Sequence, residues 1–71
     1  MDPYQELANA IIILAAKDYR SALRRLKKDG ENRAAEDELR SIERFFRSPW
    51  YEMLTDVDGE YLIRKLREEQ E

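Results

Sequence analysis

Residues 45–63 read FFRSPWYEMLTDVDGEYLI, and the way this stretch divides decides the fold. It holds Phe45, Phe46, Trp50, Tyr51 and Tyr61, a Ser48-Pro49 pair, and the cluster Asp56-Val57-Asp58-Gly59. Serine before proline is a helix start. The hydroxyl caps the first turn, and the N–H that proline lacks would have had no partner there. A short helix over Pro49–Leu54 is expected. Thr55 and Asp56 then lead into a last helix from about Val57 to Glu68, with Tyr61, Leu62 and Leu66 facing inward.

The acidic cluster has two chemical readings and one structural reading. Over an EF-hand loop, Asp56, Asp58 and Gly59 match the third, fifth and sixth positions. Leu54 and Lys65 then fall where the first ligand and the closing glutamate belong, so the coordination shell stays open. As an acid–base set, Asp56, Asp58 and Glu60 lack company: the chain has no histidine or cysteine, no Gly-rich phosphate loop and no nucleophile elbow. Helix capping accounts for the cluster, with Asp56 or Asp58 as cap and Asp58 and Glu60 at the positive helix end. No metal, cofactor or catalytic residue is expected.

Upstream, Asp2-Pro3 is another start signal. A helical pattern runs from there to Lys28, where Asp29-Gly30 stops it. Ile12, Ala15, Tyr19, Ala22, Leu23 and Leu26 recur at spacings of three and four and form one apolar stripe. Ile11, Ile13 and Leu14 widen it until the helix is apolar nearly all round, whereas a globular helix needs only one buried face. Either the other helices wrap this one, or a second face is buried at a subunit contact. With 71 residues and no cysteine, a core supplies only about 3–5 kcal/mol, which favours the contact, built on Ile13, Ala16 and Lys17 with Asn9 beside them. A second helix, capped by Asn32, runs to about Arg47 with Ala35, Leu39, Ile42 and Phe46 inward and Phe45 alongside. Phe46, Trp50, Met53 and Tyr61 are spaced to reach one core. Phe45 and Tyr51 fall off those stripes and are expected to be partly exposed.

Composition bounds the function. The chain carries 13 basic and 16 acidic residues, a net of −3, is 41% charged and 42% hydrophobic, and has two glycines and two prolines. That is a folded helical composition without the positive excess of a duplex binder. The apolar run Ala10–Ala16 is too short for a membrane span and follows acidic residues, unlike a secretory signal. The absence of cysteine fits a reducing cytoplasm.

The basic residues carry the functional signal. Arg33, Arg40, Arg44 and Arg47 share one side of the second helix; Lys17, Arg20 and Arg24 share a face of the first. A solvated surface laced with ion pairs explains them, Asp37 with Arg40 and Asp18 with Arg25. An anion site also explains them, since guanidinium forks grip phosphate and aromatics stack on bases. That site would hold a small phosphorylated nucleotide with Arg20, Arg24, Arg44 and Arg47, and with Trp50, Tyr51 and Tyr61.

With DYRSALRRLKK and IERFFRSPWYEMLTDVDGEYLIRKLREE in view, the chain from Ile12 to Glu69 resembles a family of short helical proteins from Gram-positive bacteria and their prophages and mobile elements. The family carries no assigned activity. The resemblance implies a cytoplasmic setting, phage- or mobile-element-encoded, in which small proteins bind, block or sequester host components. The expectation is one all-α domain over residues 1–71, a small helical bundle of two longer antiparallel helices plus a short helix and a C-terminal helix. It is expected to be a non-enzymatic homo-oligomer that binds a host protein or, alternatively, sequesters a nucleotide, with neither duplex nucleic acid nor membrane as partner.

Overall fold

The computed structural model describes residues 2–70, and among them it contains four helices and no strand: α1 (Pro3–Lys28), α2 (Arg33–Phe46), α3 (Pro49–Leu54) and α4 (Gly59–Glu68). Side chains start each helix. Asp2 accepts from the Tyr4 N–H at 3.0 Å, and Asn32 from the Ala35 N–H at 3.0 Å. Ser48 Oγ accepts from the Tyr51 N–H at 3.1 Å and donates back to the Phe45 carbonyl at 2.6 Å. Asp58 caps α4 by accepting from the Glu60 N–H. Asp56 is exposed, and the turn before α4 is held instead by Thr55 Oγ1, which accepts from Val57. The last helix therefore starts at Gly59 and not at Val57.

Contact order sets the directions. Tyr19 meets Glu43 while Arg25 meets Glu38, so α1 and α2 are antiparallel. Glu43 meets Arg67 while Arg47 meets Glu60, so α4 is antiparallel to α2. The core is Ala16, Tyr19, Ala22, Leu23, Leu39, Phe46, Tyr51, Ile63 and Leu66. At about 1.5 Å per residue, the 26 residues of α1 account for most of the 42 Å long axis. The other helices cover its C-terminal half; before Ala16, only Ala8 is buried.

Expectations for four residues of the 45–63 stretch are corrected. Trp50, Met53 and Tyr61 are exposed, whereas Tyr51 is 1% exposed and fully inside. The cause is rotation set by the helix starts. Ser48 places Tyr51 one turn on, facing the core, which turns Trp50 and Met53 outward. In α4 the buried positions are Gly59, Ile63 and Leu66. Tyr61, two residues after Gly59, lies nearly opposite it on a helix of about 3.6 residues per turn.

Gly59 sets that rotation. A Cβ there would lie 2.0 Å from the Phe46 carbonyl oxygen and 2.9 Å from its carbon. The first turn of α4 thus seats directly on the last turn of α2, a fit open only to glycine. No positive φ is involved. Alanine ordinarily gains up to about 1 kcal/mol over glycine in a helix. Here Gly59→Ala is expected to lower stability by about 1–3 kcal/mol, read as a lower urea midpoint; an unchanged or raised midpoint would refute the close fit.

Candidate functional site

The best-organised polar cluster in the molecule centres on Glu43, whose side chain is 14% exposed. The Tyr19 hydroxyl donates to its Oε2 at 2.5 Å, and Arg67 Nη2 donates to the same oxygen at 2.8 Å. Arg47 Nη1 lies 3.7 Å from Oε1, and Arg47 also pairs with Glu60. The Arg67 guanidinium sits 5.9 Å from the Tyr19 ring centroid. One carboxylate thereby joins α1, α2 and α4. The sequence reading missed this hub. Its signal was a lone acidic residue between Ile42 and Phe45-Phe46, inside an apolar stripe.

The residues proposed as a nucleotide site divide. Arg47 and Tyr51 meet along a cavity of about 440 Å³, whose lining also includes Glu52, Asp56, Asp58 and Glu60. Arg20, Arg24, Arg44, Trp50 and Tyr61 are absent from that lining. Arg20 grips Glu69 through two hydrogen bonds, at 2.7 and 3.2 Å. Arg24 and Arg44 are exposed and, among the described residues, make no ion pair. Tyr61 is flanked by Arg64 and Lys65, both within 5.6 Å of its ring centroid. Trp50 rests edge-on against Phe45, 5.2 Å between centroids. Tyr51 offers no face for stacking because Phe45 and Phe46 pack against it. Its hydroxyl is buried without a protein partner; burial and nearby Asp58 raise its pKa. Four carboxylates facing one arginine make this cavity unfavourable for phosphate. Arg25 pairs with Glu38 and not with Asp18.

The expected subunit contact also divides. Ala16 belongs to the chain's own core and is closed to any partner, whereas Ile13, Lys17 and Asn9 are exposed. Ile13 and Asn9 line an apolar groove of about 240 Å³ with Ile12, Tyr51, Val57 and Leu62. Thr55 links this groove to the exposed Met53. Among the described residues no group of acidic side chains is placed to hold a metal ion, and no helix is long and apolar enough to cross a membrane. No protein-family model matches the chain, and no curated protein or solved structure matches it.

The hub makes stability depend on pH at both ends of the scale. Burial opposes ionisation of Glu43, but hydrogen bonds from Tyr19 and Arg67 outweigh it and hold the carboxyl below its ordinary 4.5. The native state then binds fewer protons than the unfolded chain, so this contribution is complete above about pH 4.5 and is lost as pH falls through the lower native value. Burial, then the hydrogen bond to Glu43, raise the Tyr19 phenol above its ordinary 10.0. That contribution is complete below pH 10.0 and is lost as pH rises further. Glu43→Gln is expected to cost about 1.5–3 kcal/mol at pH 7, the scale of hydrogen bonds to a charged group, and to flatten the acid limb. Tyr19→Phe should flatten the alkaline limb. Urea unfolding from pH 3 to 11 checks both; an acid limb unchanged in Glu43→Gln would refute the assignment.

Proposed function

We propose that this chain is a non-catalytic binding protein that self-associates and engages a partner protein through the corner between α3 and α4. The observation that carries the reading is the groove of about 240 Å³ at that corner, lined by Ile13 and Val57, with Met53 beyond it on the far side of Thr55. These three are 58%, 49% and 85% exposed. Interface cores favour apolar anchors seated beside pockets, and methionine adapts its shape to a partner. A pocket with an apolar rim on so small a surface is a docking feature. The carboxylates of this region already serve structure, Asp58 as cap and Glu60 as partner of Arg47, which supports a non-enzymatic role. The resemblance to short prophage and mobile-element proteins supports a cytoplasmic setting and a host protein as target.

A nucleotide-sequestering role is the second reading. The exposed and unpaired Arg24 and Arg44 favour it, since both remain open to an anion. It would need several copies to bring such side chains together.

Affinity capture from host lysate with the wild type and Val57→Asp is expected to return one stoichiometric protein, identified by mass spectrometry and lost in the variant. Equal capture by both would refute the corner as the docking surface. Calorimetric titration with cyclic and linear nucleotides separates the readings: affinity tighter than about 1 mM, roughly −4 kcal/mol, abolished by Arg44→Ala, would replace the protein-partner reading.

A further inference from the structure

We propose that the corner between α3 and α4 takes an arginine side chain of its partner into the acidic cavity of about 440 Å³, beside the apolar groove. This names the chemistry of the partner and rests on the corner being the docking surface.

Charge points to a cation. The cavity is lined by four carboxylates, Glu52, Asp56, Asp58 and Glu60, and by one basic residue, Arg47. Arg47 is already held by Glu43 and Glu60, and the Asp58 carboxylate caps α4. Glu52 and Asp56 make no ion pair among the described residues. They also line the adjoining polar pocket of about 270 Å³, whose other residues, Gln5, Met53, Leu54 and Thr55, bring no positive charge. The corner is therefore left negative by its own chain, and its field attracts a positive group.

Tyr51 points the same way, independently of charge. Its side chain is 1% exposed. Among the described residues, its hydroxyl is the only buried side-chain polar atom without a partner. A buried hydroxyl is costly to leave unpaired, so a partner from outside the chain is what completes it. The hydroxyl is directed at the acidic cavity. Ring carbon Cε1, next to the carbon that bears it, lies 3.5 Å from where a Cβ on Gly59 would be. The Asp58 charge also acts on the phenol, and Asp58 and Gly59 both line the cavity. Asp56 and Val57, in the turn before α4, have one hydrogen bond between them, from Val57 N–H to Thr55 Oγ1 at 3.2 Å. That turn can yield to an entering group.

Geometry selects an arginine on an apolar segment over a free ion. Among the described residues no acidic group is placed to hold a metal ion. A guanidinium carries its donors around a planar fork, which suits acceptors spread along one cavity, whereas an ammonium is a compact point charge. Its N–H groups would donate to the Tyr51 hydroxyl oxygen and to the carboxylates of Asp56 and Glu52. Tyr51, Thr55 and Val57 line both this cavity and the apolar groove. One wall therefore separates a cationic subsite from an apolar one, and a chain with arginine close to an aliphatic residue fills both.

The probe is a blocked pentapeptide, leucine-alanine-arginine-alanine-leucine, titrated into the full chain and followed by NMR. A twin peptide with citrulline in place of arginine keeps the shape and removes the charge. The arginine peptide is expected to bind at least about tenfold more tightly than its twin. That preference should vanish in Glu52→Gln/Asp56→Asn and persist in Glu31→Gln/Asp37→Asn, which removes the same charge near the opposite end of α2. Tyr51→Phe separates binding from structure. It deletes an unpaired buried hydroxyl, so the urea midpoint is expected to hold or rise, while the arginine peptide binds severalfold more weakly. Equal binding of the two peptides, or an arginine peptide indifferent to Tyr51→Phe, would overturn the arginine site. If both peptides bind equally and Val57→Asp abolishes both, the docking corner stands without its cationic subsite. Butylguanidinium binding as tightly as the peptide would make the occupant a small cation and overturn the assignment to a protein. No shift with either peptide at millimolar concentration would also overturn the arginine site, and Val57-dependent capture would then judge the docking corner by itself.

Discussion

The arrangement of this bundle depends above all on a single half-buried carboxylate. Glu43 receives the Tyr19 hydroxyl from α1 and the Arg67 guanidinium from α4, and it projects from α2 between core residues. Apolar burial alone is non-directional and would hold three short helices together without settling how they are turned. Hydrogen bonds to an ionised group have defined partners and geometry, so Tyr19, Glu43 and Arg67 specify which helical faces meet. The desolvation cost of placing a charge there is offset by the two donors on one oxygen and the nearby Arg47. Below the hub, the Tyr19 and Phe46 rings meet edge to face at 6.0 Å, so the polar and apolar parts of the core are continuous.

The second constraint is steric and acts within a turn of Glu43, where α2 ends. Phe46 closes the aromatic cluster with Tyr51 and Phe45, and its carbonyl is the surface on which Gly59 sits. Ser48 ties the two helices at the bend by bonding both Phe45 and Tyr51. These short-range ties turn the chain twice within a few residues. The turns leave Met53 and Val57 facing solvent; Val57 and Ile13 line the apolar groove, and Met53 lies beyond Thr55 from it. The proposed docking corner is therefore a by-product of the same geometry that closes the core.

The two ends of α1 do different work for a physical reason. Its C-terminal half is wrapped by α2 and α4, and its exposed basic residues there are partly neutralised across helices, Arg20 by Glu69 and Arg25 by Glu38. Its N-terminal half extends past α2, so its apolar residues have no cover beyond the region of α3. An amphipathic helix long enough to outrun its own bundle presents two surfaces, one already satisfied and one still open.

The chain order of helices, the first three starts and most of the ends were legible in the sequence, because caps are local: Asp2, Asn32 and Ser48 act within three residues of themselves, whereas the last start moved from Val57 to Gly59 because Asp58, and not Asp56, caps it. The stripes of α1 and α2 were legible for the same reason, since periodicity is set by helix geometry alone. Only the tertiary structure decided how the short helices rotate. Tyr51 went inside and Trp50, Met53 and Tyr61 outside because Gly59 meets the Phe46 carbonyl, a contact between residues 13 apart that no local pattern encodes. Likewise, Arg47 could read as a ligand-binding group until Glu43 and Glu60 were seen beside it, and Ala16 as an interface residue until the other helices closed over it. Local chemistry determined where helices begin and which faces are apolar. Packing between distant residues decided which charges were already taken and which apolar surface was left over.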